Sequence, residues 1–244
     1  MQTVSRTWPQ TPDVSHNLAG QRLGRKGLET HERIVQAALR LLRSSPSDVP
    51  VTLTAVSREA SVGMTTLYLY FPDIGELVLA ALNRIMATAD DAFLDRLRSR
   101  WPDDGLEACC LDFLRAHLQF WRRHARILHM RNSFADKSDM RFLEYRNRIS
   151  YPLIEMLVQQ MDGDPATKDS HHSLVASVIL AGLERLATVI TTANFPALVR
   201  RQGVKNEHVH VYRMLGVEAR LIALGIRDAR DTPKRQENIV CDAG

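Results

Sequence analysis

The chain has 244 residues, 45% hydrophobic and 25% charged, which is globular composition and enough for a small domain plus a larger one. Its formal net charge of +4 and pI of about 9.1 are mildly basic, admitting a nucleic-acid partner without requiring one. Three cysteines, the adjacent Cys109 and Cys110 and the distant Cys241, exclude a disulfide framework and lack metal-ligand spacing, so a reducing cytoplasm is expected.

The N-terminus carries no apolar stretch of the signal-peptide kind. The longest apolar run, Leu174 to Thr192, is interrupted by Glu184 and Arg185, so neither a membrane span nor a membrane partner is expected. Charge is uneven along the chain. Through Phe71 there are 8 Lys/Arg against 5 Asp/Glu, an excess of +3, which leaves +1 for the remainder.

Residues 1–28 are polar and rich in Pro and Gly and read as a disordered arm. The arm ends in a basic cluster, Arg22, Arg25 and Lys26. The cluster is either solvated charge or an arm that touches phosphates or the minor groove. A helix is expected from about Thr30 to Ser44, with Ile34, Ala37, Ala38, Leu41 and Leu42 on one stripe. A loop follows at residues 45–50.

Thr52 is a good N-cap for the next helix, where Leu53, Val56 and Ala60 share a face. Ser61-Val62-Gly63 leaves room only for a turn, with Gly63 expected to relieve the backbone. Thr65 to Phe71, opened by Met64, forms a second helix of about two turns, closed by Pro72. Two helices across so short a turn make a helix-turn-helix, whose second helix can enter a DNA major groove. That helix shows hydroxyls (Thr65, Thr66, Tyr68, Tyr70) where a purely structural one would carry Lys and Glu, while Leu67 and Phe71 are expected to pack inward.

Asp73, with Glu76 three residues on, forms a capping box opening a helix expected to run to about Arg98. Further helices are expected at about Leu106–Arg123, Ala125–Phe134 and Met140–Met161, the last kinked or divided by Pro152. The helix at about Thr167–Ala193 is apolar nearly all round and is expected to be buried on several sides. One at about Glu207–Leu224 repeats the pattern, and Gly182 and Gly216 offer close helix approach. Residues 227–244 read as a polar tail. With no strand signal and no internal repeat, the chain is expected to be all-α, with about nine helices.

Phe113, His117 and Trp121 recur at i, i+4 and i+8. They are either core packing or the wall of a ligand pocket with His117 as its polar handle, to which Met130, Phe134, Tyr145 and Met156 could add. His171-His172 and His208/His210 lack the spacing of a metal site. There is no Gly-rich phosphate loop, no HExxH and no GxSxG, so neither an enzyme nor a cofactor is expected.

The stretch TLTAVSREASVGMTTLYLYFPDIGEL, residues 52–77, resembles the signature of the tetracycline-repressor (TetR) family of transcriptional regulators. The resemblance rests on Thr52-Leu53, Ala60, Val62, Thr66-Leu67-Tyr68, Tyr70-Phe71 and Glu76-Leu77, and extends to the preceding helix from about residue 29. It implies a helix-turn-helix domain over 29–75 and an effector-binding and dimerisation domain over 76–226. It further implies a homodimer through the last two long helices, a palindromic double-stranded operator, and release by a small-molecule effector. Met64, Thr65, Thr66 and Tyr68 would face bases or sugar-phosphate, and Tyr70, Thr52 and Thr54 would face phosphates. The alternatives are a regulator with no effector and, less favoured for want of a catalytic constellation, an all-α enzyme using a cavity beside the helix at about Leu106–Arg123, its N-terminal unit vestigial. Three positions depart from the pattern: Ser61 for Gly in the turn, Gly63 for a capping Ser or Thr, and Ile74 for a phosphate-contacting Lys. The basic cluster including Arg25 and Lys26 is expected to offset the missing lysine.

Overall fold

The computed structural model describes residues 15–44 and 49–241, with side chains through Asp231. Residues 1–14 of the expected arm, 45–48 of the expected loop and the last three of the tail lie outside the described residues. The fold is all-α. The described residues form ten α-helices and one short 3-10 helix: α1 (Arg25–Ser44), α2 (Leu53–Glu59), α3 (Met64–Tyr68), α4 (Ile74–Met86), α5 (Ala89–Ala92), the 3-10 turn Leu94–Leu97, α6 (Leu106–Asp136), α7 (Met140–Gln160), α8 (His171–Ile190), α9 (Phe195–Arg201) and α10 (Glu207–Cys241). Packing divides the described residues into two units, those up to 88 with 124–147 and those of 89–123 with 148 onward. This is not the expected division near residue 75, because α4 and the 124–147 segment belong with the helix-turn-helix.

In the first unit α1 packs against both α2 and α4. Its buried stripe is Ile34, Val35, Ala37, Ala38, Leu39 and Leu42, a helical repeat facing the core. It starts at Arg25 rather than Thr30. An Arg25–Glu29 pair one turn apart (3.4 Å) and a Thr30 Oγ1 bond to the Lys26 carbonyl (2.9 Å) support the extra turn. The residues before it are also ordered. Asn17 Oδ1 accepts from the amides of Ala19 and Gln21, both at 3.0 Å, and Gly20 takes φ +76° to complete the turn. The Leu18 amide then donates to the Leu69 carbonyl (2.9 Å), fastening this turn to the end of the helix-turn-helix.

The helix expected to reach Arg98 stops at Met86. Thr88 Oγ1 turns back onto the Ile85 carbonyl (2.7 Å), and Phe93 sits at φ −152° and ψ −24°, off the helical path. Arg98 binds both Asp90 (2.6 Å) and Asp95 (2.8 Å), which holds residues 90–98 in their own compact turn.

Among the described residues, the second unit is built round a buried aromatic and aliphatic core and one buried side-chain amide. Gln160, 1% exposed, accepts from the Trp101 amide (2.8 Å) and donates to the carbonyls of Leu97 (2.8 Å) and Ser99 (2.9 Å). The two helices expected at 106–123 and 125–134 form one, α6, interrupted only at His124 (φ −119°, ψ 17°). Pro152 lies inside α7 without dividing it. The seven-residue α9 escapes a periodicity search because it is too short to show a stripe.

Two expectations about the C-terminal helices change. α8 is buried along one stripe (Ala176, Leu180, Leu183, Ala187), while Leu174 and Val178 are 58% and 73% exposed. By length and composition it is the one described helix apolar enough to cross a membrane, and a third of its span is buried within the chain. α10 does not end near Leu224 in a polar tail. It continues to Cys241, with Ile226 and Ala229 fully buried. A Cβ at Gly182 would meet Glu218 Oε1 at 3.0 Å, whereas Gly216 has open space around it and mediates no close approach.

Candidate nucleic-acid interface

The helix-turn-helix is held by local chemistry that the sequence specifies residue by residue. Thr52 Oγ1 accepts from the Ala55 amide (3.2 Å), capping α2. α2 ends in a Schellman turn: the Val62 amide reaches the Ser57 carbonyl (3.0 Å) and the Ser61 amide the Arg58 carbonyl (3.1 Å). Ser57 Oγ bonds the Val62 carbonyl (2.6 Å) and closes the corner.

This motif needs a left-handed residue at its turn, and that residue is Ser61, at φ +52°. Gly63, expected to relieve the backbone, sits at φ −68° and ψ 151°, which any residue adopts. It caps α3 with no side-chain bond. A non-glycine residue in the left-handed region costs about 1–2 kcal/mol, and a glycine gives back roughly 0.4–1 kcal/mol through the looser unfolded chain. Ser61→Gly is therefore expected to stabilise the protein by about 0.5–1 kcal/mol. A urea titration checks this, and a lower midpoint for the glycine variant would show the turn to be unstrained.

α3 is short, and two anchors orient it. Leu67 is fully buried and Phe71 is 3% exposed, both facing inward. His31 from α1 lies against the Phe71 ring (centroids 4.9 Å apart) and meets Tyr70 edge-on (6.2 Å). Burial holds the His31 pKa below its ordinary value, outweighing the opposing pull of Glu32, so His31 is neutral at pH 7. The opposite face of α3 is free of charge. Thr65 and Tyr68, three residues apart on one face, are exposed, and Tyr68 is 49% so; Met64, Thr66 and Tyr70 are half-buried. Thr52 and Thr54 are exposed at the start of α2.

Arg25 and Lys26 are exposed on the first turn of α1, on a helix rather than in a disordered arm. Arg33, Arg43 and Arg58 are exposed in the same unit. The exposed part of the helix-turn-helix therefore offers hydroxyls and the Arg58 guanidinium, with further guanidinium and ammonium groups on α1. Such groups bind a phosphate backbone and hydrogen-bond base edges.

The expected pocket residues do not fall in one unit. Phe113, His117 and Trp121 are buried in the second and pack together. The rings of Phe113 and His117 stack at 6.0 Å, and Trp121 Nε1 donates to His117 Nε2 (3.1 Å). Phe93 joins them from outside α6, 5.1 Å from His117 and 5.2 Å from Phe120, and Trp101 lies 6.0 Å from Phe113. Phe93 and Trp101 were not anticipated as members, since neither lies on the helix whose spacing gave the signal. Met156 is half-buried on α7 in this unit, while Met130, Phe134 and Tyr145 belong to the first unit. There Phe134 stacks face to face on Phe142 (4.5 Å, 11°), and Tyr145 is buried.

α8 and α10 frame an open groove of about 530 Å³ lined by Leu174, Val178, Ile179, Leu221 and Ile222, with Glu218 beside them. Burial pushes the Glu218 carboxyl above its ordinary pKa. Among the described residues no group of His, Cys, Asp and Glu is placed to hold a metal ion. No protein-family model matches the chain, and none of the curated proteins compared with it does.

Proposed function

We propose that the chain is a homodimeric transcriptional repressor of the tetracycline-repressor kind, with α3 the helix that enters the major groove of a palindromic operator. The observation that carries this reading is the outward face of α3. Leu67 and Phe71 turn inward, Thr65 and Tyr68 turn outward, and no acidic residue stands on the helix to repel phosphate. In this reading Thr65, Thr66 and Tyr68 contact bases and sugar-phosphate, Thr52, Thr54 and Tyr70 contact phosphates, and Arg25 and Lys26 add the charge that Ile74 does not.

The second copy docks on α8 and α10. Leu174, Val178, Leu221 and Leu224 are all at least half exposed on one chain, and a two-fold arrangement covers the same patch on both partners. A small apolar or aromatic effector, taken up by the aromatic residues round Phe113, His117 and Trp121, releases the operator. It does so by binding the non-reading state more tightly, since equal affinity for both states shifts nothing. The protein works in the cytoplasm.

A gel shift with duplex DNA flanking its own gene tests the reading. Wild-type protein is expected to bind with strong salt dependence. Tyr68→Ala is expected to weaken binding roughly 30- to 150-fold, the worth of two hydrogen bonds, one from each protomer, of about 1–1.5 kcal/mol each, with the dimer intact. A wild-type chain that prefers no duplex over random DNA would sink the proposal.

A further inference from the structure

We propose that Arg141, which lies on α7 far along the chain from the helix-turn-helix, is the residue that positions the reading helix. The inference deepens the reading of α3 as a DNA-reading helix and rests on it. Four residues separate the end of α3 from Asp73, the N-cap of α4, so whatever fixes Asp73 fixes where α3 ends. Asp73 Oδ1 accepts from the Glu76 amide (2.9 Å). Arg141 Nη1 then donates to both Asp73 oxygens (3.2 and 2.9 Å) and to Glu76 Oε1 (2.9 Å). The rest of the same guanidinium is held by Asp139, through Nε (3.1 Å) and Nη2 (2.9 Å).

A cation at a helix N-terminus opposes the helix dipole. It is stable here because three carboxylates surround it. Gly75 is part of the arrangement: it is buried, and a Cβ on it would lie 2.8 Å from Arg141 Nη2 and 2.9 Å from Asp73 Oδ1. A side chain at position 75 therefore pushes the guanidinium away. The other end of the helix-turn-helix is held in the same manner from the same segment. Arg126 donates to the Leu41 carbonyl on α1 (3.4 Å) and to the Val49 carbonyl on the approach to α2. Burial tends to raise the Asp73 pKa, but the Glu76 amide and the Arg141 guanidinium outweigh it. The Asp73 carboxyl thus lies below its ordinary value.

The test is operator binding by Arg141→Gln and Gly75→Ala chains over a range of salt. Both are expected to weaken binding about five- to tenfold while the slope of log K against log salt stays at its wild-type value, because Arg141 acts through Asp73 and not on phosphate. Arg141→Lys is expected to recover only part of the loss, since an ammonium cannot serve two carboxylates in the fixed plane that a guanidinium provides. Unchanged affinity in both variants overturns the proposal. So does a slope lower by about two, one for each protomer, which would make Arg141 itself a phosphate contact. Should wild-type protein bind no duplex, the DNA reading has failed, and the tether is judged by hydrogen exchange. Faster exchange at the amides of residues 69–77 in Arg141→Gln upholds it, and unchanged exchange overturns it.

Discussion

An Arg230→Ala chain is expected to unfold about 1–3 kcal/mol more easily than wild type, the cost of leaving carbonyl acceptors without their donor. The Arg230 side chain is 6% exposed, although it lies in what composition marks as a polar tail. Its Nε donates to the Gln160 carbonyl (2.8 Å), its Nη2 to the Trp101 carbonyl (3.1 Å) and its Nη1 to the Asp103 carboxylate. One side chain thus joins α10 to the end of α7 and to the loop before α6. At 2–4 °C per kcal/mol the melting temperature falls by roughly 2–12 °C. Arg230→Met keeps the apolar stem and removes the donors, so it is expected to lose nearly as much.

The pH dependence separates the parts of this contribution. The hydrogen bond from Arg230 holds the Asp103 pKa below its ordinary value of 3.8. A depressed carboxylate contributes stability above its unfolded pKa and loses it as pH falls through the folded one. The gap between Arg230→Ala and wild type therefore narrows in acid, while the share carried by the two carbonyls remains. A urea midpoint equal to that of wild type at pH 7 would show that Arg230 contributes nothing to the fold.

Leu67→Ala is the second large effect, about 2–5 kcal/mol for emptying a fully buried leucine site. The α3 helix has five residues, well short of the roughly 12 at which an isolated helix becomes even marginal in water. Its position is therefore set by Leu67 and Phe71 and not by its own propensity. Both described tryptophans, Trp101 and Trp121, lie in the second unit, so their fluorescence will miss an early loss of the first. Far-UV circular dichroism or hydrogen exchange will record it. Tyr68→Ala, at an exposed position, is expected to stay within about 0.5 kcal/mol of wild type. If Leu67→Ala unfolds no earlier than Tyr68→Ala, α3 is held by something other than its buried face.

What could be read in advance was whatever short-range chemistry decides. Thr52 and Asp73 announce helix starts because their caps involve only the next three residues, and the inward turn of Leu67 and Phe71 follows from helical spacing. The α4 boundary could not be read this way. The apolar spacing runs on through Ala89, Phe93 and Leu97, but α4 ends at Met86, where Thr88 turns back onto the Ile85 carbonyl, and the angles at Phe93 and the pairing of Arg98 with Asp90 and Asp95 keep the helix from resuming. Arg230 and Arg141 were missed for a different reason. Apart from Asp139 beside Arg141, their partners lie tens of residues away in sequence, and a charged side chain at such a position looks like surface until its neighbours are known. α8 shows the opposite error: periodicity measures how apolar a face is but not whether the same chain covers it.

Gln160 also bears on how the protein ages in storage. Hydrolysis of its amide would exchange one nitrogen for oxygen at almost no change in shape. The resulting acid would then aim a lone pair at the Leu97 and Ser99 carbonyls, where a donor stood before. Few modifications of similar size would disturb the second unit more. The burial that makes Gln160 indispensable also keeps water from it, so deamidation will begin at exposed amides such as Asn147 and Asn206 and spare the one that matters most.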